Sequence, residues 1–276
     1  MSTNRELYFR FKKEGIPDTV IYFALEECNV FDHVLLSQNL DEETKDEKRF
    51  LDAMNRYANG EMIEYIFKKA LFLSKPFYID ENVLIPRQET EQLVLASAKY
   101  IKEVFGENQI TIADICTGSG VIGLSLADIF KENKFILTDI SNGALNVARK
   151  NGEKYKADID YLCGDMLEPL IQRKIKVDVI VCNPPYIENI ETIDKKTWEC
   201  EPHLALLAEP ATHFYEKLLK DYRKVTKEQY VMCFEMGEDM EESLTELVKK
   251  YCPDATFFFE KDIYDKTRFL FIKKQK

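Results

Sequence analysis

Asn183-Pro184-Pro185-Tyr186 stands directly behind Val177-Asp178-Val179-Ile180-Val181-Cys182, a run that reads as a buried strand. Proline has no backbone N–H, so the pair at 184 and 185 stops a central strand from pairing further. Residues that precede proline are held extended. A strand that ends in this way presents a side-chain amide, carbonyls outside the ladder and one aromatic ring at its carboxyl end, where open α/β sheets bind ligands. Whether they bind a ligand depends on the rest of the chain. The plainer alternative is a loop that starts where prolines end a strand, with Tyr186 packed as an ordinary core residue.

A second set of residues lies upstream. The 276 residues contain ten glycines, and Gly118, Gly120 and Gly123 fall together in ADICTGSGVIGLSLA, residues 113 to 127. Glycines at a strand-to-helix junction allow a tight turn and close backbone approach to a ligand lying over a helix N-terminus. Small residues there also suit simple packing of helix on strand, and glycine spacing alone is weak evidence. Phe135-Ile136-Leu137-Thr138 leads to Asp139, nineteen residues after Gly120, where a carboxylate accepts both hydroxyls of a ribose. A third strand ends at Asp165 in CGDM, placed to accept from an adenine amine. A lone Asp at a strand end is more often a helix cap. Three successive strand ends with suitable groups are harder to explain that way.

Nucleoside recognition suits NAD and S-adenosylmethionine alike. The letters Cys-Thr-Gly-Ser-Gly-Val-Ile-Gly depart from the G-x-G-x-x-G pattern of dinucleotide enzymes, and the fourth strand end offers acceptors for an NH2 group. Together they point to S-adenosylmethionine and to methyl transfer onto a nitrogen.

These groups need a sheet to hold them. From Gln109 onward strands alternate with helical stretches, with strands expected at 110–115, 134–139, 159–163, 177–182, 229–235, 255–260 and 267–273. KDIYDK between the last two is too short for a crossover, so they pair as a hairpin and leave one strand antiparallel near the edge. The expected fold is α/β, a doubly wound, mostly parallel seven-strand sheet. Residues 1 to about 75 read as helical, with Leu7 and Phe11, then Ile21 and Leu25, spaced for one helix face. The charged run DEETKDEKRF at 41–50 reads as a solvated helix start leading into Phe50, Leu51, Met54 and Tyr57. A small hairpin is expected across Ser74-Lys75-Pro76. The resulting division is a helical domain at 1–75, a hairpin linker with a connecting helix at 76–108, and the α/β domain at 109–276.

Lys and Arg number 38 against 49 Asp and Glu, a formal charge of -11, which argues against direct gripping of nucleic acid through phosphates. Seven scattered cysteines without a C-x-x-C pair argue for reduced thiols in a cytoplasm and against a zinc site or a disulfide framework, and no metal is expected. No segment has the length and apolarity of a membrane span.

With strands one, two and four in place, the chain resembles S-adenosylmethionine-dependent methyltransferases of the class I, Rossmann-like fold that modify planar NH2 groups through an Asn-Pro-Pro-Tyr element. VLIPRQETEQLV at 83–94 is similar to the Ile-Pro-Arg-Pro-Glu-Thr-Glu segment of the release-factor glutamine methyltransferase family. The similarity extends to EYIFKKALFLSKPFYID, EPHLALLAEP at 201–210, FEMG at 234–237 and KTRF near the end. Cys116 replaces the glycine that usually opens the family's loop, Gln88 replaces a proline, and Tyr65-Ile66-Phe67-Lys68 replaces Tyr-Ile-Leu-Gly.

The resemblance implies S-adenosylmethionine held by Asp114, Cys116, Thr117, Gly118, Ser119, Gly120, Asp139, Asp165, Met166 and Asn183. It implies a substrate glutamine in the Gly-Gly-Gln segment of class I peptide chain release factors, with the helical domain and linker holding that partner. Asn183, Pro184 and Tyr186 form the expected catalytic set: the Asn183 side-chain oxygen and the Pro184 carbonyl each accept one amide N–H, and Tyr186 packs on the amide plane. Pro185, Arg87 and Glu89 complete the substrate side. Arg87, Glu89 and Glu91 either shape the substrate mouth or form ion pairs that lock the domains. Competing readings are an adenine amine of DNA or RNA as acceptor, a ribosomal-protein glutamine as acceptor, or a nucleoside-binding protein without catalysis.

Overall fold

The computed structural model describes residues 2–29 and 33–275. The chain divides into two compact units, Met1–Lys69 and Ala70–Lys276.

In the first unit, α1 (Asn4–Lys13), α2 (Asp18–Asn29), α3 (His33–Gln38), α4 (Glu47–Ala58) and α5 (Ile63–Phe67) surround one apolar cluster. Leu7, Phe11, Ile21, Leu25, Phe50 and Met54 are buried in it, as their helical spacing requires. Thr3 opens α1 with a capping box, its side chain accepting from Glu6 N while the Glu6 side chain accepts from Thr3 N.

The charged run at 41–50 departs from expectation, because its first part forms turns and a bridge between Thr3 and Glu43, and the helix starts only at Glu47 behind the Asp46 cap. Burial explains the difference. Thr44 donates to Asn4 Oδ1 at 2.7 Å, Asn29 Nδ2 donates to the same atom at 2.8 Å, and Lys45 N donates to Asn29 Oδ1 at 3.0 Å. A satisfied buried polar network of this kind fixes the stretch more firmly than its helix propensity would. The helical pattern ends at Phe67, where Lys68 adopts a left-handed conformation with φ of 54°.

The second unit begins with a hairpin, β1 (Lys69–Phe72) and β2 (Lys75–Tyr78), where β1 straddles the boundary. Its turn is Leu73-Ser74, both at positive φ, so Lys75 and Pro76 belong to the second strand and not to the turn expected from the sequence. Two residues with positive φ match the twist of paired strands. The remaining elements are α6 (Gln88–Phe105), β3 (Thr111–Ile115), α7 (Val121–Ile129), β4 (Lys134–Asp139), α8 (Asn142–Tyr155), β5 (Ile159–Cys163), α9 (Glu168–Gln172) and β6 (Val177–Cys182). They are followed by α10 (Lys195–Cys200), α11 (His213–Asp221), β7 (Thr226–Glu235), α12 (Glu241–Tyr251), β8 (Thr256–Lys261) and β9 (Thr267–Lys274).

Among the described residues, seven of the strands form one sheet in the order β5-β4-β3-β6-β7-β9-β8, with β9 antiparallel to both of its neighbours. This is the doubly wound, mostly parallel sheet expected. Each face is covered: Ile180 and Cys182 of β6 belong to one apolar cluster and Val179 and Val181 to the other. A strand buried on both faces needs continuous apolar sequence, which is why β6 lacks alternation. The chain runs outward from β3 through β4 to β5, then returns to β6 beside β3. That reversal opens a crevice at the carboxyl ends of β3 and β6.

Candidate active site

Register places the chemistry. Ile115 of β3 pairs with Thr138 of β4 and with Cys182 of β6, and Cys182 pairs with Phe234 of β7. The next residues on those four strands, Asp139, Cys116, Asn183 and Glu235, therefore reach the carboxyl edge of the sheet in one row. A cavity of about 200 Å3 lies there.

On one side of the row the β3–α7 loop is shaped by backbone. Cys116 and Gly118 have φ of 59° and 54°, and Gly120, the N-cap of α7, has φ of 84°. A left-handed residue other than glycine costs roughly 1–2 kcal/mol, which accounts for the glycine in the family pattern where this chain carries Cys116. A methyl group built on Gly118 would meet no atom within 4 Å, so the loop backbone faces open space. Gly123 serves packing: a Cβ there would come within 2.6 Å of Leu137 Cδ1.

Two carboxylates hold this loop. Asp139 Oδ2 accepts from Gly118 N and Oδ1 from Ser141 N, both at 2.9 Å. Burial raises the Asp139 pKa, against the pull of those N–H groups. Asp114 is 0% exposed, and its Oδ2 accepts from Thr117 Oγ1 at 2.5 Å and from Gly123 N at 2.9 Å. Its Oδ1 is buried and has no partner among the described residues. Burial pushes the Asp114 carboxyl up to about 7, opposed by the Thr117 and Gly123 hydrogen bonds.

On the other side side chains predominate. Asn183 Nδ2 donates to Thr90 Oγ1 at 3.3 Å, and Thr90 Oγ1 donates to Glu235 Oε2 at 2.7 Å. The Tyr186 hydroxyl donates to Glu235 Oε1 at 3.3 Å, and the Tyr215 hydroxyl to the Glu235 carbonyl at 2.6 Å. Thr90 and Glu235 are 4% and 2% exposed. Burial raises the Glu235 carboxyl to about 7. With Nδ2 engaged by Thr90, the Asn183 side chain presents Oδ1 as its acceptor.

The cavity is lined by Arg87, Cys116, Thr117, Gly118, Ser119, Asp139, Asp165, Met166, Asn183 and Pro185 of the residues expected from the sequence. Asp114 and Gly120 lie outside the lining and act through the loop. Pro184, Tyr186 and Glu89 are also outside it. Asp165 does not stand alone, because its carboxylate is ion-paired with Lys217 of α11. Met166 is at 3.6 Å from Cys116 Sγ through its own sulfur. Arg87 pairs with Glu201 at 2.6 Å, and the Glu201 side chain is wholly buried. Glu91 accepts from Leu73 N at 2.8 Å, which ties α6 to the hairpin turn.

Sequence reasoning assigned no role to Thr90, Glu201, Lys217 or Glu235. Thr90, Glu201 and Glu235 lie within the segments that carry the family resemblance, and a charged residue closing the apolar run Tyr230-Val231-Met232-Cys233-Phe234 is the signal for Glu235.

The groups at the cavity fit a nucleoside. A carboxylate closes β4, the Gly118 backbone leaves room, and a buried carboxylate oxygen under the loop lacks a partner. Next to this lies an amide held with its oxygen available.

Residues 92–200 match the Methyltransferase small domain family. The chain is 35% identical to the release factor glutamine methyltransferase of Mycoplasma mycoides over 260 residues, 92% of this chain and 91% of that protein. It is 36% identical to the protein of the same name from Staphylococcus aureus, over 80% of this chain and 79% of that one. Among solved structures, a Thermus thermophilus 16S rRNA N2 G1207 methyltransferase in complex with AdoMet and guanosine superposes with a TM-score of 0.54 at 16% identity, covering 75% of this chain and 50% of that one. A Pyrococcus furiosus methyltransferase gives 0.52 at 14% identity, over 83% and 98%. These two likenesses concern the fold.

Proposed function

The chain belongs to the release factor glutamine methyltransferase family, and we propose on that premise that it transfers a methyl group from S-adenosylmethionine to the side-chain amide nitrogen of the glutamine in the Gly-Gly-Gln segment of class I peptide chain release factors. Its cofactor is S-adenosylmethionine. The observation that carries the reading is Asn183, in the same cavity as Asp139 and Gly118 and held so that its oxygen is the free end of the amide.

When bound, the cofactor supplies an electrophilic methyl group. Asp139, the Gly118 backbone, Ser119, Asp165 and Met166 hold it. A primary amide nitrogen is a poor nucleophile because its lone pair is delocalised into the carbonyl, so the protein has to orient it. Asn183 Oδ1 and the Pro184 carbonyl each accept one N–H of the glutamine. This fixes the nitrogen with one face toward the cofactor half of the cavity and raises its electron density. Positioning of that kind contributes up to about 7–11 kcal/mol in favourable cases. Tyr186, its hydroxyl anchored on Glu235, supports the plane of the bound amide. The nitrogen loses a proton to solvent once it has been methylated, so a strong base is not needed beforehand.

The helical unit Met1–Lys69 serves the choice of partner, since every group proposed for cofactor and amide lies in the second unit. A translation substrate supports a cytoplasmic location as part of the same proposal; separately, among the described residues no helix is long and apolar enough to cross a membrane.

The test is incubation with labelled S-adenosylmethionine and, in one vessel, a purified release factor, duplex DNA and ribosomal protein. Label is expected on the glutamine of the Gly-Gly-Gln segment and to vanish when that glutamine is replaced. Label on DNA or ribosomal protein alone would overturn the assignment.

A further inference from the structure

A side-chain amide has two nearly identical ends, and only one serves a substrate that brings its own NH2 group. If Asn183 turned its Nδ2 into the cavity, two donors would face each other. The surroundings of Asn183 decide which end is presented.

An ionised carboxylate accepts hydrogen bonds and donates none. Glu235 Oε2 at 2.7 Å therefore requires Thr90 Oγ1 to point its single proton at Glu235. With that proton committed, Thr90 Oγ1 offers lone pairs to Asn183 at 3.3 Å, so the end of Asn183 facing it must be the NH2. Oδ1 is thereby directed away from Thr90. The other Glu235 oxygen takes the Tyr186 hydroxyl, so one carboxylate sets the direction of hydrogen bonding for both the asparagine and the tyrosine of the motif.

We propose that Glu235, acting through Thr90, fixes the Asn183 amide with its oxygen toward the substrate, so that Thr90 and Glu235 are positioning residues for the transfer step. This rests on the reading of Asn183 as acceptor for the glutamine amide.

A consequence is pH dependence. With its proton on Oε2, the oxygen 2.7 Å from Thr90, Glu235 donates to Thr90, whose own proton then points at Asn183 and draws Oδ1 toward it, leaving NH2 in the cavity. Burial raises the Glu235 carboxyl to about 7; the groups that bear on it are Thr90 and Glu89 from α6, Tyr186 after β6, Tyr215 from α11 and Arg268 from β9. Glu89 raises it further, while the Thr90 and Tyr186 hydrogen bonds and Arg268 lower it. The orienting form is the ionised one, so transfer is lost as pH falls through about 7.

The experiment is single-turnover methyl transfer to purified release factor across the acid and neutral range, with cofactor affinity measured by calorimetry on the same samples. Wild type should lose rate in proportion to the protonated fraction, with cofactor affinity unchanged. Thr90→Val, which removes the hydroxyl at constant shape, and Glu235→Gln should each lower the rate about tenfold, the effect of one misplaced hydrogen bond. Both should lose the acid limb while binding cofactor normally. Thr90→Ser should restore the rate and the limb relative to Thr90→Val. An infrared pH titration of the substrate-free protein should show a carboxyl band that is absent in Glu235→Gln and whose midpoint matches the kinetic one.

Wild-type rates in Thr90→Val and Glu235→Gln would overturn the proposal, as would an acid limb that survives in Glu235→Gln and so belongs to another group such as Asp114. Loss of cofactor affinity in step with rate would overturn it too, by showing a merely structural role. Asn183→Ala is measured alongside: if it alone abolishes transfer, the acceptor reading stands while the proposal fails, and if it transfers normally the acceptor reading itself fails.

Discussion

The two halves of the cavity are made of different material. The cofactor half is a backbone device, a loop bent by left-handed residues at 116, 118 and 120 and tied by Asp139 to the neighbouring strand. The amide half is a side-chain device, in which Asn183, Thr90, Glu235 and Tyr186 come from three separate stretches and meet only through packing. Each half buries one carboxyl raised to about 7, Asp114 in the first and Glu235 in the second. Their settings differ, because both Glu235 oxygens have partners whereas one Asp114 oxygen has none among the described residues. A backbone device binds ground and transition states alike, whereas an orienting side chain acts on the reacting atom. The halves should therefore fail in different constants.

The largest expected effect is in the amide half. Asn183→Ala should lower single-turnover transfer by on the order of 10²–10³, by analogy with removal of one oxyanion donor, while calorimetric cofactor binding stays normal. Near-normal transfer would break the comparison at once. Asp139→Ala comes next: it removes the acceptor of Gly118 N and should raise the cofactor dissociation constant about 10- to 100-fold. Saturating cofactor should then restore turnover. A fall in kcat at unchanged cofactor affinity would move Asp139 into the chemistry.

A third effect concerns stability. A carboxyl whose folded-state pKa is raised retains its proton while the unfolded chain gives it up, so its contribution to stability is present at acid pH and declines as pH rises from about 4.5 to about 7. Glu235→Gln removes that penalty and should stabilise the protein above neutral pH by on the order of 1–3 kcal/mol. The same substitution should slow transfer, a trade of function for stability. Thermal unfolding at acid and at alkaline pH checks the sign; a variant that is less stable than wild type at alkaline pH would contradict it. The smallest effect belongs to Cys116→Gly. It relieves a left-handed residue but frees the unfolded chain, so stability should change by less than about 1 kcal/mol and cofactor binding should persist. A marked loss of binding would show that the Cys116 side chain contributes.

The same contrast explains what the sequence made legible. The strands at 134–139, 159–163 and 177–182 and the glycine loop are local patterns, set by apolar runs and by residues that tolerate positive φ. Asp139 was legible because it stands at the end of such a run. Thr90 and Glu235 are 145 residues apart, and they meet only because β6 and β7 pair with Cys182 opposite Phe234 while α6 begins beside them. No spacing in the chain encodes that register. The Lys217 partner of Asp165 and the Glu201 partner of Arg87 were hidden for the same reason. At 41–50 propensity pointed to a helix, and burial of Thr44 beside Asn4 and Asn29 overrode it in the first half of the run.

The measurement that bears most directly on the account is a double-mutant cycle between the halves, with cofactor affinity and single-turnover transfer read on Asp139→Ala, Asn183→Ala and the combined variant. Asp139 ends β4 and Asn183 follows β6, with β3 between the two strands. Separate functions predict that the combined variant binds cofactor as weakly as Asp139→Ala alone and, at saturating cofactor, transfers as slowly as Asn183→Ala alone, with a coupling within about 0.5 kcal/mol of zero. A larger coupling, or cofactor binding weakened by Asn183→Ala on its own, would mean that one device serves both tasks and would contradict the division.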